Sequence, residues 1–213
     1  MTAYLLAHRI FAILRGIHGD ALLRTAEALL TGGIAAVELP FDRSGAFPDE
    51  KLAMELCRLR EAFGGDLRLG TGTVLTPEQV TLAKDAGSEY IVSPSVEEAV
   101  IRKTRALGLT SIPGALTPTE VHRAMEAGGD LIKLFPADLF GAAYMKSLLA
   151  PFPTAKLCAT GGVNRETLAD YLRAGCTCVA VGGDLADPGL IAEKNWGGLC
   201  RRAREYCRIL EEV

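Results

Sequence analysis

At 213 residues and a formal net charge of −3, with 23 basic side chains set against 26 acidic ones, the chain offers no basic stripe for nucleic acid or an anionic membrane surface. Its apolar runs stop short of the roughly 18 residues that cross a bilayer. No linker, low-complexity tract or shift in composition divides it, so one domain over 1–213 is expected, in the cytoplasm, binding a small ligand.

The opening segment MTAYLLAHRIFAILRG carries His8 and Arg9 inside its apolar run and lacks a small-residue cleavage site, so it reads as a leading strand and not a signal peptide. From there short aliphatic runs alternate with longer segments of helical period. The predicted strands are RIFAILR (9–15), IAAVELP (34–40), LRLGTGT (67–73), YIVSPS (90–95), LTSIP (109–113), DLIKLFP (130–136), AKLCATG (155–161) and CVAVGG (178–183). Between them, apolar residues recur at helical spacing in DALLRTAEALLTGG, DEKLAMELCRLREAF, TPEQVTLAKDAG, SVEEAVIRKTRALG, TPTEVHRAMEAGG and NRETLADYLRAG. Thr76, Thr117 and Asn164 are placed to cap helix starts, Pro77 and Pro118 suit first turns, and Gly87, Gly108, Gly128 and Gly175 follow last turns. The closing stretch DPGLIAEKNWGGLCRRAREYCRILEEV reads as a loop and an amphipathic helix that closes the barrel, with Trp196 in the core or at an interface.

Eight strand and helix units in a chain of this length imply parallel strands joined by right-handed crossovers, and the compact closed solution is an α/β fold, a single-domain (β/α)8 TIM barrel. An open doubly wound sheet is the alternative. The six cysteines include no C-x-x-C pair, and Cys176 and Cys178 alternate along a predicted strand, so buried reduced thiols are expected. His8, His18 and His122 fall on a first strand, a loop and a helix surface, in surface or packing roles. Neither a metal nor a cofactor is expected.

In such a barrel the active site is built from the C-terminal strand ends. There the chain presents Arg15 on the first strand, Glu38 on the second, Thr71 and Thr73 on the third, and Ser93 followed by Pro94 on the fourth. The sixth presents Lys133 and the seventh Thr160, while the seventh and eighth run into Gly161-Gly162 and Gly182-Gly183. Period-2 alternation sets Leu131, Lys133 and Phe135 on one face, Ile132 and Leu134 on the other, and Glu38 opposite Val37 and Leu39. If Lys133 and Glu38 faced outward they would lie under the helical layer, so both should face inward near the mouth. Burial disfavours an ammonium, and a neutral amine attacks a ketone to form a Schiff base, while a carboxylate nearby can move protons. The bland alternative is a buried Lys133–Glu38 ion pair. Arg15 either neutralises Glu38 or holds a substrate carboxylate in bidentate fashion, and the second is favoured. The two glycine pairs suit backbone N–H groups converging on an anion.

In order along the chain, AILRG (12–16), AVELPF (36–41), GTGTVL (70–75), SPS (93–95), IPG (112–114), KLFPA (133–137), TGGV (160–163) and VGGDL (181–185) resemble the 2-keto-3-deoxy-6-phosphogluconate and 4-hydroxy-2-oxoglutarate aldolases. The resemblance covers nearly the whole chain and implies a metal-free, lysine-dependent class I aldolase that forms a homotrimer. It implies that Lys133 is the Schiff-base lysine and that Glu38 shuttles protons through water. Arg15, Thr73 and Phe135 would line the pocket for the pyruvate half, and Gly161, Gly162, Gly182 and Gly183 the phosphate loops.

Two departures stand out. Asp184 follows Gly183 where some members place a serine that donates to phosphate. Arg43 stands at a shifted position for an arginine that some members place after the glutamate. The expected reaction is cleavage of a 2-keto-4-hydroxy acid to pyruvate plus glyceraldehyde 3-phosphate or glyoxylate. The rivals are a phosphosugar isomerase or epimerase and a non-catalytic ligand-binding barrel.

Overall fold

The computed structural model describes residues 1–213. Every strand pairs in parallel: β1 (Ile10–Ile13), β2 (Ala36–Pro40), β3 (Arg68–Gly72), β4 (Tyr90–Val92), β5 (Thr110–Ile112), β6 (Gly114–Ala115), β7 (Ile132–Leu134), β8 (Leu157–Thr160) and β9 (Cys178–Val181). The strand order is β5-β4-β3-β2-β1-β9-β8-β7-β6. β5 and β6 are one strand interrupted at Pro113, which has no N–H to give the ladder. The carbonyls of Ser111, Pro113 and Ala115 accept from the N–H groups of Leu131, Lys133 and Phe135, and these bonds close the barrel. The predicted (β/α)8 barrel therefore stands.

The helices are α1 (Thr2–His8), α2 (Gly19–Thr31), α3 (Asp49–Phe63), α4 (Pro77–Asp85), α5 (Glu98–Ala106), α6 (Pro118–Glu126), α7 (Gly141–Leu149), α8 (Leu168–Arg173), α9 (Pro188–Ala192) and α10 (Trp196–Glu211). None is long and apolar enough to cross a membrane. Local chemistry explains several starts. Thr76 accepts from the Gln79 N–H at the start of α4, and Thr117 with Glu120 forms a full capping box on α6. Gly87, Gly108, Gly128 and Gly175 all have positive φ just past a helix, as their positions in the sequence require.

Asn164 departs from expectation. Its Oδ1 accepts from the N–H groups of Glu166 and Thr167 and so caps a turn, and α8 begins only at Leu168. The N-terminal segment departs further, because Thr2–His8 is a helix and the first strand begins at Ile10. His8 thus lies on α1, stacked on Tyr4, and not on a strand. Leu5 of α1 is fully buried with the inward residues of the strands, so this helix plugs the N-terminal end of the barrel.

Two apolar regions share the core. Inside the barrel are Phe11, Ala36, Tyr90, Val92, Ile112, Leu131, Cys158, Cys178 and Ala180. Between barrel and helices lie the alternate residues, among them Val37, Leu39, Leu69, Ile132, Leu134, Val179 and Val181. The two sets confirm the period-2 reading strand by strand, including Leu131 inward with Ile132 and Leu134 outward. The final helix closes the helical ring, lying between α2 and the pair α8 and α9. α10 packs chiefly on α2, where a Cβ at Gly32 would overlap Ala203, and Trp196 at its start is half-buried.

Candidate active site

A cavity of about 1150 Å³ opens at the C-terminal end of the strands. Of the residues singled out from the sequence, Arg15, Thr73, Pro94, Lys133, Phe135, Thr160, Gly161, Gly162, Gly182 and Gly183 line it. β7 places Lys133 in register between Gly114 of β6 and Cys158 of β8, so small neighbours flank it. Its side chain is 6 % exposed, and Nζ lies 4.6 Å from the centroid of the Phe135 ring, two residues on along the same face. No carboxylate lies within ion-pair distance of Lys133, so the buried pair with Glu38 does not form.

Glu38 lies inside the barrel and not on the cavity wall. It is buried beside Gly72, and its Oε2 has no hydrogen-bond partner. Burial raises its pKa above the ordinary carboxylate value, against the pull of the Lys133 and Arg15 cations. Across the barrel wall the inward row runs Glu38, Gly70, Tyr90, and the Tyr90 hydroxyl is likewise buried without a partner. The missing side chain at Gly70 is what lets the Tyr90 ring lean over β3, since a Cβ there would overlap it. Arg15 is exposed on the cavity wall and makes no ion pair, so it does not neutralise Glu38 by contact.

Two expected positions fall elsewhere. Ser93 is buried and off the cavity wall, because alternation along the strand end turns Pro94 inward in its place. Thr71 faces the helices, where its hydroxyl meets that of Ser88 at 2.6 Å. Thr73 reaches the cavity through a left-handed backbone, φ 57°, which a β-branched residue disfavours. Such strain, of order 1–3 kcal/mol, collects at functional sites.

The glycine loops carry the other half of the cavity. The N–H groups of Gly161, Gly162, Gly182 and Gly183 have no acceptor in the protein. Gly161 and Gly162 have φ of 92° and 68°, so the fold itself demands glycine there. Gly182 and Gly183 are different: neither has positive φ, and a Cβ at either would meet nothing within 4 Å. Their bareness serves no packing need and leaves backbone N–H groups open to a ligand.

His18, expected in a surface or packing role, stands on the cavity wall with its ring stacked 3.8 Å from that of Phe47. Asn164, expected only as a cap, and Ile191 also line the cavity. For His18 the signal was present, since it follows Arg15 in the loop after the first strand, where barrel mouths are built. Arg43 is exposed and does not reach the cavity.

A parallel barrel that buries one lysine without an acidic partner at the floor of its C-terminal cavity has the architecture of a class I aldolase. The family model described as KDPG and KHG aldolase matches residues 1–201, and the chain belongs to that family. It is 37 % identical over 186 residues to the 2-dehydro-3-deoxy-6-phosphogalactonate aldolase of Escherichia coli K12, covering 87 % of this chain and 88 % of that protein. It is 33 % identical over 196 residues to the 2-dehydro-3-deoxy-phosphogluconate aldolase of Haemophilus influenzae, 91 % and 89 % of the two chains. Among solved structures, the KDPG aldolase of Legionella pneumophila with pyruvate captured as a covalent carbinolamine superposes with a TM-score of 0.85 at 26 % identity, covering 95 % of this chain and 96 % of that one. The chain is accordingly a carbon–carbon lyase of the class I type, and the isomerase and binding-barrel alternatives are not favoured.

Proposed function

We propose that this enzyme cleaves a 2-keto-3-deoxy-6-phosphoaldonate to pyruvate and glyceraldehyde 3-phosphate through an imine on Lys133. The observation that carries the reading is Lys133 itself, an amine buried on the cavity wall with no acid to pair with. The amine adds to the C2 ketone, water leaves, and an iminium forms. Glu38, acting through one water, takes the proton from the C4 hydroxyl. The C3–C4 bond then breaks, with its electron pair moving into the iminium to give an enamine, and the aldehyde departs. Protonation of the enamine at C3 and hydrolysis of the imine release pyruvate and free Lys133.

The raised pKa of Glu38 suits this exchange, since burial makes its carboxylate a better proton acceptor than an exposed one. Arg15 holds the C1 carboxylate, Thr73 and Pro94 shape the pyruvate half together with Phe135, and Thr160 lies beside the breaking bond. The bare N–H groups at 161, 162, 182 and 183 take the phosphate.

The test is mass mapping after mixing the protein with pyruvate and borohydride. A reduced pyruvyl adduct on Lys133 is expected, and a folded sample without one overturns the proposal. The whole chain acts as one catalytic unit in a homotrimer, supported by Leu139 and Phe140, which are 59 % and 56 % exposed close to the mouth, and light scattering gives its mass. A cytoplasmic site fits six free thiols, of which burial pushes that of Cys176 up to about 12.

A further inference from the structure

Asp184 is the anomaly of the anion loop. It follows Gly182-Gly183 directly and touches the cavity, yet a carboxylate facing a phosphate would repel it. The structure shows where the carboxylate goes. Its Oδ2 accepts from the hydroxyl of Tyr206 at 2.6 Å and lies 3.3 Å from Nε of Arg165. Tyr206 is fully buried on α10, in the core between the barrel and the helices, so the bond draws the carboxylate toward the helical layer. The backbone of the same residue is held from the same helix: Arg202 Nη1 donates to the Asp184 carbonyl at 2.8 Å and to Asp187 Oδ2 at 2.6 Å. Asp187 in turn caps α9, whose Pro188 and Ile191 line the cavity. Arg165 is itself steadied by Glu205 at 2.7 Å, again on α10. The loop is thus fixed from outside the barrel by α10, at residues that lie beyond the 1–201 stretch matched by the family.

We propose that Tyr206 is a positioning residue for phosphate recognition: with Arg165 it holds the Asp184 carboxylate out of the anion site, so that the backbone N–H groups of Gly182 and Gly183 meet the phosphate unopposed. The proposal rests on the phosphorylated-substrate reading above and assigns to this chain a latch where a small hydroxyl residue would need none. Tyr206 does not touch substrate. It acts through Asp184, and its effect is confined to ligands that carry the distal anion.

The experiment takes whichever 2-keto-3-deoxy-6-phosphoaldonate wild type cleaves, gluconate- or galactonate-configured, and compares it with the same acid lacking phosphate, in wild type, Tyr206→Phe, Asp184→Asn and the double variant. In Tyr206→Phe the freed carboxylate should raise KM for the phosphorylated acid by about tenfold or more, with kcat and the constants for the unphosphorylated acid unchanged. In the Asp184→Asn background the same substitution should change KM less than about twofold, because no charge remains to be restrained. Equal KM in wild type and Tyr206→Phe, an equal loss for both acids, or a loss that persists in the Asp184→Asn background overturns the proposal. Should Tyr206→Phe not fold, Arg165→Gln, at a half-exposed side chain, removes the other partner of the carboxylate. The same pattern is then expected, abolished again by Asp184→Asn. Wild type alone separates the two readings. If it cleaves neither configuration, phosphorylated or not, the proposed substrate class fails and this inference with it, whereas cleavage of both acids with no selective loss in the variants sinks the latch alone.

Discussion

Gly72 lies against the carboxyl group of Glu38 so closely that a Cβ at residue 72 would overlap it. The glycine at the end of β3 is therefore the reason a glutamate fits inside the barrel at all. Gly72→Ala should push Glu38 off its position and destabilise the protein by about 1–3 kcal/mol, as overpacking does. Because Lys133 is untouched, trapping of pyruvate by borohydride should persist while steady-state cleavage falls at least about a hundredfold. Loss of both activities together would mean that Gly72 serves the lysine and not the glutamate.

Lys133→Ala should fold, since the side chain has no ion-pair partner to strand, and its thermal midpoint should stay within a few degrees of wild type. Turnover should drop by at least about three orders of magnitude with no pyruvyl adduct, because no other buried amine faces the cavity. Residual activity above that level, measured by coupled pyruvate release, would point to a second nucleophile.

Glu38 makes stability depend on pH in a direction that can be worked out. Its pKa is raised in the folded state by burial, so between the ordinary carboxylate value and that higher one the native protein binds more protons than the unfolded chain. Stability then falls as pH rises through this window. Glu38→Gln removes the dependence: its thermal midpoint should differ little from wild type below the ordinary carboxylate value and exceed it increasingly as pH rises above that value. A gap that is constant with pH would show that Glu38 does not titrate in that range. In wild type, the acid limb of kcat/KM should lie above the range of an exposed glutamate.

Gly183→Ala tests the bare loop. The backbone there is not left-handed and a methyl group meets nothing, so the variant should be as stable as wild type or gain up to about 1 kcal/mol. KM for the phosphorylated acid should nevertheless rise severalfold, because the methyl group stands where the anion approaches. Unchanged KM would place the phosphate elsewhere.

Thr73 carries backbone strain at the cavity, and Thr73→Gly should relieve it, raising stability by about 1 kcal/mol. The cost should appear as a higher KM for pyruvate in the trapping reaction. A variant that is less stable than wild type would show that the side-chain contacts of Thr73 outweigh the strain.

Much of this molecule was legible in the sequence because the signals are local. Alternation alone sorted Leu131, Lys133 and Phe135 from Ile132 and Leu134, and capping residues marked α4 and α6 to the residue. The misreadings have local causes too. Thr2–His8 is a single short helix without a side-chain cap, and seven apolar-rich residues have the same pattern as a strand. Ser93 and Thr71 sit at strand ends, where one residue of phase separates the cavity from the helical layer.

What the sequence determined by itself, then, is the parallel barrel and the lysine that must face inward, because period and burial cost act within a few residues of one another. Tertiary structure alone decided what depends on residues distant in the chain. Glu38 fits because Gly72 yields room, the His18 ring on the cavity wall stacks on that of Phe47, and the Asp184 carboxylate accepts from the hydroxyl of Tyr206, 22 residues later. Those relationships are set by which side chains the closed barrel brings within hydrogen-bonding or van der Waals reach, and no periodicity encodes them.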